Sequence, residues 1–451
     1  MLDWFWMAAE RFRRSNPRRL ARRLTRVPAR FVRRVARAKL VYLLRYVYRH
    51  SIAQRRRWEE AGIRLSDLRS PDVLTRIPFC DGGQVARNPE DFFCVPEEKL
   101  THVITTSGTT GTAKKIFFTN EDLAYQTRMM GTNLCGLPGA SRVLIMYRIF
   151  DPTWAVGAFT ERGVEQAEMF CLRSGNHLSA DEQIRLIREY RIDSLITTPS
   201  YAHRVTLEAK QDLHGLGVRY ILLGGQSWSE NLRATLEQAW GATALDAWGC
   251  NECGTGIAAE CTRKNGLHLS EADFWIEIVD PATGAPVPDG EEGEVVVTTL
   301  SRRGMPLVRY RIGDLAHLMP REDRCECGSP LRRLSRIKGR MDDILFIGNG
   351  VHVYPDEIDR AVLGSRGVTD YQLTIERDGY QDMLHLTVES ALGGPAGALE
   401  DGIRLALRKV EAIREAVDET KMAGFGRFQV VPMGTLSQNR VKSVRIVDKR
   451  E

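Results

Sequence analysis

A nine-residue stretch rich in glycine, threonine and serine is the segment of the chain best suited to binding phosphate. Glycines let backbone N–H groups approach phosphate oxygens, hydroxyls add donors and a lysine adds positive charge. An apolar, β-branched run at 100–105 precedes it and predicts a strand, and the stretch lacks the Gly-Lys-Ser/Thr triplet of a P-loop. These residues predict a triphosphate-binding loop, with a solvated Gly/Ser/Thr turn as the alternative. Its residues are Thr106, Ser107, Gly108, Thr109, Thr110, Gly111, Thr112, Ala113 and Lys114.

Three later segments combine aromatic, carboxylate and arginine side chains. An aromatic face can stack on a base, and a carboxylate beside phosphates can hold a hard cation. An ionised carboxylate is also a pure acceptor for ribose hydroxyls. In chain order, the candidate residues are Trp248, Gly249 and Glu252 in segment 246–252, Asp314 in segment 310–314, and Arg340 and Asp342 in segment 339–343.

Taken in this order, the segments resemble the adenylate-forming superfamily, which includes acyl-CoA synthetases, firefly luciferase and peptide-synthetase adenylation domains. The resemblance implies that the 106–114 stretch is the phosphate loop. Segment 246–252 resembles the superfamily's Tyr-Gly-x-x-Glu motif, with a tryptophan where tyrosine is usual. The implied roles are adenine and nucleotide contact for Trp248 and Gly249, Mg²⁺ binding for Glu252, ribose binding for Asp314, phosphate or ribose contact for Arg340, and the interdomain hinge for Asp342.

Two further segments narrow the resemblance to the phenylacetate-CoA ligase branch. They are residues 302–310 and 350–355, and the resemblance as a whole covers residues 40–450. It implies that ATP activates a carboxylic acid as acyl-AMP, with Mg²⁺, and that the acyl group passes to the thiol of coenzyme A. An amide- or ester-forming ligase and a carrier-protein loading enzyme are the alternatives. A third alternative is a non-catalytic binding protein with a basic N-terminal arm.

The acid itself is predicted to be aryl or otherwise apolar. Trp154 and Phe159 lie in a segment that the resemblance places at the acyl pocket, and aromatic side chains commonly line such pockets. Gly224 and Gly225 lie in the second pocket segment. Both segments differ from what a phenylacetate enzyme would be expected to carry, so the sequence leaves the acid unidentified.

The superfamily delivers a lysine from its small C-terminal domain to the carboxylate and the α-phosphate. In this chain Lys442 occupies the corresponding position, but Val441 replaces the glycine that usually precedes the lysine. Arg440 and Lys449 are the alternative cations. The resemblance therefore implies that Lys442 and Glu252 are the catalytic residues.

Four metal-binding side chains form two pairs that flank a predicted β-rich subdomain. His268 follows Cys261 by seven residues, and Cys325 and Cys327 form a Cys-x-Cys pair. Three thiols and one imidazole suit tetrahedral Zn²⁺, and four protein ligands leave no open position for water. We predict a structural zinc ion; the alternative is a set of core residues without metal. Relatives in the resembled branch often carry a metal knuckle at this place.

The predicted fold class is α/β, with a large N-terminal adenylating domain of layered sheets and a small mobile α+β C-terminal domain. Helices and strands alternate between residues 120 and 240, which is typical of a sheet covered by helices. The predicted domains are 1–341 and 342–451, with the β-rich subdomain at about 255–335. Predicted helices span 34–62, 120–135, 180–190, 201–211, 230–240 and 356–364; predicted strands span 142–147, 194–198, 219–223, 273–279, 294–299, 315–319 and 384–389.

Charge is distributed unevenly along the 451 residues. Residues 1–60 contain 18 lysines and arginines against four acidic residues, whereas the whole chain has a net charge of only +6. Arginines of this arm, defined here as about residues 1–39, recur every three or four positions and form a helical stripe. A membrane-surface helix and a nucleic-acid arm are possible functions. We favour a solvated face on helices packed against the body, and expect no nucleic-acid partner.

Composition predicts an ordinary soluble globular protein rather than a secreted or membrane-spanning one. The chain is 43% hydrophobic and 27% charged, and no apolar run reaches eighteen residues. Acidic residues flank the aromatic N-terminus, so a secretory signal is not expected. The odd count of nine cysteines fits ligands and core residues in a reducing compartment, and we predict a cytoplasmic protein. The oligomeric state stays open, a dimer being one possibility.

Overall fold

The structure is a computed structural model of the chain. It describes residues 16–24, 27–105, 114–147, 156–226, 228–341, 345–347, 351–390, 396–436 and 445–450. These residues fold into two units by their contacts: residues 1–175 with 245–336 form the first, and residues 176–244 with 337–451 form the second.

Helices and strands alternate along most of the described chain. The helices are α1 (Pro17–Leu24), α2 (Ala29–His50), α3 (Ile52–Glu60), α4 (Gly82–Arg87), α5 (Asn120–Cys135), α6 (Val156–Gln166), α7 (Ala180–Glu189), α8 (Pro199–Glu208), α9 (Glu230–Trp240), α10 (Pro355–Leu363), α11 (Ala396–Leu407) and α12 (Glu411–Arg414). The strands are β1 (His102–Thr105), β2 (Lys115–Phe118), β3 (Arg142–Ile145), β4 (Phe170–Arg173), β5 (Ser194–Thr197), β6 (Tyr220–Gly224), β7 (Thr243–Cys250), β8 (Gly254–Glu260), β9 (Leu267–Leu269), β10 (Phe274–Val279), β11 (Gly293–Thr299), β12 (Tyr310–Ala316), β13 (Arg333–Leu334), β14 (Gly339–Arg340), β15 (Leu345–Ile347), β16 (Val351–Val353), β17 (Val368–Asp378), β18 (Gln381–Ser390), β19 (Ala423–Val431) and β20 (Ile446–Asp448).

The predicted α/β class is confirmed by this succession. The helices predicted at 120–135 and 230–240 match α5 and α9 in both bounds. The strand predicted at 315–319 is instead β12, which begins five residues earlier and contains the segment 310–314. In β12, Tyr310, Ile312 and Asp314 are buried while the residues between them are half-buried. This period-two pattern is that of a strand with one face inward.

The helix predicted at 34–62 divides at Ser51. This residue has an extended backbone, and its Oγ accepts a hydrogen bond from the N–H of Gln54, which caps α3. The same hydroxyl donates to the carbonyl of Asp91 at 2.7 Å. Because the serine satisfies both the helix end and a neighbouring loop, two helices replace one.

In the first unit, antiparallel pairing dominates. β10, β11 and β12 pair antiparallel in succession, as do β7, β8, β9 and β13, while β3 and β4 pair parallel. Helix α2 buries Leu40, Leu43 and Leu44 in a core that also contains Trp58. The buried ammonium of Lys39 binds the carbonyl of Ala272 and both Asp273 and Ser301, which fixes α2 to the start of β10.

The second unit contains a four-stranded sheet in the order β19-β18-β17-β20, and the parallel pair β5 and β6. α10 and α11 contribute Ile358, Val362 and Ile403 to its core. The buried guanidinium of Arg445 binds Asp359 and Asp370, each at 2.9 Å, just before β20. This buried ion-pair network fixes the chain at the residue after the segment 437–444.

The described part of the basic arm packs on the first unit. Arg18 donates to the carbonyls of Ala167 at 2.7 Å and Glu168 at 2.9 Å, beyond the end of α6. This agrees with the interpretation of helices packed against the body, with arginines such as Arg30 and Arg33 exposed on α2. Residues 1–15 lie outside the described residues. Within the described part of the chain, no helix is both long and apolar enough to cross a membrane.

Candidate nucleotide site and metal cluster

The strands on either side of the predicted phosphate loop form one hairpin. β1 and β2 pair antiparallel with Thr105 opposite Lys115. Residues 106–113 lie outside the described residues, but Lys114 is described. Its ammonium lies 2.5 Å from Oε1 of Glu252. The hairpin therefore brings the loop's lysine to the predicted metal-binding carboxylate.

Glu252 is a buried carboxylate in the turn between β7 and β8. Its side chain is 7% exposed, and the hydroxyl of Tyr310 donates to Oε1 at 3.3 Å. Burial, and next the charge of Glu252, raise the pKa of Tyr310 well above its usual value. The phenol therefore stays protonated and donates. Lys114 and Tyr310 thus both place a donor on the buried carboxylate.

Trp248 and Asp314, which sequence motifs place 66 residues apart, share a hydrogen bond. The indole Nε1 donates to Oδ2 of Asp314 at 2.7 Å, and both side chains are buried. The tryptophan thus keeps an aromatic face and supplies a donor of its own. Its partner is the carboxylate that the resemblance assigns to the ribose, so one contact couples the two predicted nucleotide-binding residues.

Two glycines allow the turn that carries Glu252 to fold tightly. A Cβ on Gly249 would lie 2.8 Å from the carbonyl oxygen of Gly254 and from the N–H nitrogen of Gly256. Gly254 has a φ of +130°, and a Cβ there would overlap Gln126. Gly249 is therefore required for backbone packing, which is a reason for its presence besides nucleotide contact.

Strand register explains how separate motifs meet. Tyr310 and Asp314 lie four residues apart on the inward face of β12. One contacts Glu252 and the other contacts Trp248. We call Lys114, Trp248, Glu252, Tyr310 and Asp314 the nucleotide cluster. Tyr310 lies two and four residues before Ile312 and Asp314, and this period-two spacing was the signal in the sequence that could have assigned it to the cluster.

The four predicted zinc ligands lie together in the first unit. Their ligand atoms all lie within 4.8 Å of one another. Sγ of Cys261 is 3.6 Å from Sγ of Cys325, and Sγ of Cys327 is 3.3 Å from Nε2 of His268. Sulfurs about 2.3 Å from a tetrahedral ion lie about 3.8 Å apart, so the spacing fits zinc. We call these four residues the metal cluster.

Electrostatics at the metal cluster favour ligands that become charged only with a cation. Burial lowers the pKa of His268 to about 4, so its imidazole is neutral at pH 7, the form that binds metals. Burial also raises the pKa of Cys261 to about 12. Backbone N–H groups of Arg263 and Ser329 donate to the sulfurs of Cys261 and Cys327, each at 3.4 Å. Such donors stabilise thiolates, which metal binding would create by displacing protons.

Comparison with known proteins identifies the family. Residues 24–301 match the model of the AMP-binding enzyme family, and residues 350–450 match that of the AMP-binding enzyme C-terminal domain. A phenylacetate-coenzyme A ligase of Pseudomonas putida is 31% identical over 422 residues, covering 91% of this chain and 93% of the relative. The chain belongs to the AMP-binding enzyme family. Within it, the predicted phenylacetate-CoA ligase-like branch is confirmed.

Further comparisons agree with this membership. The phenylacetate-coenzyme A ligase of Escherichia coli (strain K12) is 32% identical over 362 residues, covering 78% of this chain and 80% of the relative. The crystal structure of a 2-hydroxyisobutyryl-CoA ligase in the postadenylation state superposes with a TM-score of 0.81 at 24% identity, covering 95% of this chain and 92% of that one. This second likeness supports the AMP-binding enzyme fold.

The structure describes some of the remaining predicted site residues of this family member. Arg340 is half-buried in β14, and Gly224 ends β6, followed by Gly225 with a φ of +84°. Phe159 lies on α6, where it is 3% exposed and packs edge-on against Phe118. Trp154, Asp342 and Lys442 lie outside the described residues, as do Arg440 and Val441.

Of the alternative tail cations, Lys449 is described. Its ammonium lies 3.5 Å from a carboxylate oxygen of Glu376, an exposed pairing on the sheet of the second unit. Lys449 thus forms a surface ion pair with Glu376. The tail assignment to Lys442 stays a prediction.

Proposed function

We propose that this protein is an AMP-forming ligase that joins an aryl or similarly apolar carboxylic acid to coenzyme A. The reaction class follows from membership in the family: ATP activates the acid as acyl-AMP, and the acyl group then forms a thioester with CoA. The aryl acid is the finer part of the proposal. It is supported by phenylacetate-coenzyme A ligases at 31% identity across most of the chain.

The reaction has two steps with different demands. In the first, a carboxylate oxygen attacks the α-phosphorus of ATP, and pyrophosphate leaves. In the second, the sulfur of CoA attacks the acyl carbonyl, and AMP leaves. Both need developing negative charge to be placed against fixed donors and cations, since the protein contributes mainly position and electrostatics.

The contact between Lys114 and Glu252 is the observation that best supports the nucleotide site. A lysine from a phosphate-type loop and a buried carboxylate meet at 2.5 Å, which is the arrangement needed to place one cation on phosphate oxygens and hold another beside them. Mg²⁺ is commonly held by one or two carboxylates plus substrate phosphates, so Glu252 fits that ion. When bound, Mg²⁺ would neutralise charge on the phosphates of ATP.

The other residues of the nucleotide cluster would position the nucleoside. Asp314 would accept from the ribose hydroxyls, while its second partner, the Trp248 indole, holds the carboxylate in place at 2.7 Å. The Trp248 face would lie near adenine. Tyr310 would keep the Glu252 carboxylate oriented through its 3.3 Å hydrogen bond. Arg340 would contribute to phosphate or ribose binding, Asp342 would act as the hinge and Lys442 would supply the tail cation.

We further propose that the metal cluster binds one structural Zn²⁺. Four ligand atoms within 4.8 Å and backbone donors to two sulfurs support this. Four protein ligands complete a tetrahedron, so the ion would stabilise the fold and take no part in the reaction. Metal analysis of the purified protein should give one zinc per chain.

ATP–pyrophosphate exchange tests the first step. The acids should include phenylacetate, benzoate and 2-hydroxyisobutyrate, together with straight-chain acids of similar size. We expect exchange with at least one aryl acid and weaker exchange with the aliphatic controls. Exchange confined to aliphatic acids would overturn the aryl proposal while leaving the reaction class intact.

The acceptor is then tested by adding CoA, an amine, an alcohol or a carrier protein to the best acid. We expect only CoA to convert acyl-AMP to product at a rate matching exchange. An amide or ester product without CoA would contradict the proposal. Absence of exchange with every acid would favour the non-catalytic alternative.

A further inference from the structure

A buried arginine at the start of segment 302–310, outside the predicted site residues, holds the backbone of Glu252. Arg302 is 5% exposed, and its Nη1 donates to the carbonyl oxygen of Glu252 at 2.5 Å. Its Nη2 donates to the carbonyl oxygen of Cys253 at 2.9 Å. The planar guanidinium offers parallel N–H donors in a fixed fork, so it fixes two consecutive peptide units together. The turn that carries Glu252 is thus held from its main-chain side.

The same guanidinium also contacts β2, the strand that follows the predicted phosphate loop. Its Cζ lies 4.5 Å above the ring of Phe118, the last residue of β2. Phe118 is completely buried and packs edge-on against Phe159. A cation over a buried aromatic face is attracted by the ring and cannot move without losing that contact. Arg302 therefore links the turn of Glu252 to the hairpin that presents Lys114.

A second buried charge fixes the segment on which Arg302 stands. The carboxylate of Asp122 accepts from the N–H of Arg303 at 2.7 Å and of Gly304 at 2.8 Å. Asp122 also caps α5 by accepting from the N–H of Thr119, directly after β2. The backbone beside Arg302 is consequently tied to the same end of β2 on which its guanidinium rests.

We propose that Arg302 is a positioning residue for adenylation, which sets the placement of Glu252 relative to Lys114. This inference rests on the proposed role of Glu252 in binding Mg²⁺. Burying a guanidinium is costly, and burial lowers the pKa of Arg302. Removing the guanidinium would take these donors from both carbonyls, so Arg302 also contributes to fold stability. Through the two carbonyl contacts, the guanidinium of Arg302 aligns the turn that carries the Glu252 carboxylate.

Arg302→Met tests the inference, because methionine keeps apolar contact with Phe118 but removes the donors. We expect the Mg²⁺ concentration for half-maximal ATP–pyrophosphate exchange to rise about tenfold to a hundredfold, as displacement of a positioned group by about 1 Å can produce. The second step, measured from supplied acyl-AMP and CoA in the folded protein, should change less than about threefold. Arg302→Lys should recover part of the Mg²⁺ affinity, since an ammonium can still reach one carbonyl.

Arg233 provides a matched control. It is also 5% exposed, lies with its guanidinium 4.6 Å above the ring of Trp228 and donates to the carbonyl of Ala244. Arg233→Met should lower the melting temperature in the same way but leave the Mg²⁺ dependence of exchange unchanged. Equal loss of both steps in Arg302→Met, or equal Mg²⁺ shifts in the two variants, would overturn the positioning role.

A double variant separates this inference from the proposed function. If Arg302 acts through Glu252, combining Arg302→Met with Glu252→Gln should raise the Mg²⁺ requirement little beyond Glu252→Gln alone. Multiplicative effects would refute the coupling even if Glu252 binds the metal. If Glu252→Gln by itself leaves the Mg²⁺ requirement unchanged, the proposed function of Glu252 fails first.

Discussion

The nucleotide cluster and the metal cluster belong to the same unit, but they differ in which side chains face their ligand atoms. In the nucleotide cluster, each carboxylate already has a protein donor: Lys114 and Tyr310 for Glu252, and Trp248 for Asp314. In the metal cluster, two sulfurs lie 3.6 Å apart, and a third sulfur lies 3.3 Å from the imidazole nitrogen. The first arrangement can exchange partners when a ligand comes and goes. The second would be completed by the Zn²⁺ ion proposed above, which would be bound permanently.

The largest expected effect is loss of the metal cluster. Cys325→Ser removes one of four ligands and should abolish stoichiometric zinc binding. The free energy of unfolding should fall by more than about 4 kcal/mol, because metal binding energy is folding energy at such sites. Chemical denaturation with metal analysis measures both quantities. Adenylation in the surviving folded fraction should remain near normal.

Cys171→Ser is the matched control for that variant, because Cys171 is a half-buried cysteine outside the cluster. It should keep both zinc and stability. A metal-free wild-type protein, or equal destabilisation by the two serine variants, would remove the contrast between the clusters.

The next effect tests whether the nucleotide cluster needs a cation from the tail. Lys442→Ala should slow acyl-AMP formation by about 10²–10³, the usual cost of losing one electrostatic contact to a transition state. Thioester formation from supplied acyl-AMP should be spared. Arg440→Ala and Lys449→Ala are the controls, and near-normal exchange is expected for both. If either control is inactive while Lys442→Ala is active, the tail cation has been misassigned.

Glu252→Gln should have a somewhat smaller effect, near 10²-fold on ATP–pyrophosphate exchange. The amide keeps the shape and the Tyr310 contact but removes the negative charge that pairs with Lys114 and would hold Mg²⁺. Titrating Mg²⁺ at fixed ATP should show a raised requirement. Wild-type Mg²⁺ and ATP kinetics would place the metal elsewhere and leave the Lys114 pair as a structural contact.

The smallest effects concern the Trp248–Asp314 contact. Asp314→Ala should raise the KM for ATP about tenfold or more, because the ribose loses an acceptor. Trp248→Phe keeps an aromatic face and removes only the 2.7 Å donor, so a change of about fivefold is expected from the loss of roughly 1 kcal/mol. Steady-state kinetics at saturating acid and CoA measure both. A larger effect for Trp248→Phe than for Asp314→Ala would reverse the assigned order of roles.

Local motifs identified candidate site residues, but they did not predict how these residues contact one another. Trp248, Glu252 and Asp314 were recognisable because each occupies a short segment with fixed neighbours. The bond between Trp248 and Asp314 depends instead on the registers of β7 and β12, which no single segment contains. Arg302 begins segment 302–310, which supports the branch resemblance, but that segment could not predict its contacts, because the two carbonyl partners lie 50 and 49 residues away in sequence.

The fold shows the same division between local and long-range information. Strong turn and capping signals fixed α5 and α9, and Thr119 and Asp122 form a reciprocal cap at the start of α5. The break at Ser51 escaped prediction because its second hydrogen bond goes to the carbonyl of Asp91, forty residues away. The hydrophobic periodicity of residues 34–62 predicts one helix, whereas the contact between Ser51 and Asp91 divides this segment into α2 and α3.

The spacing of the metal ligands along the chain has a consequence for the unfolded protein. Cys261 and Cys325, whose sulfurs lie 3.6 Å apart, are 64 residues apart in sequence. A zinc ion bridging them would close a loop of that length, and such a closure removes about 4 kcal/mol of chain entropy from the unfolded ensemble if it acts like a covalent cross-link. During refolding, the bound ion would limit the distance between strands β8 and β13 before both strands pair with β9.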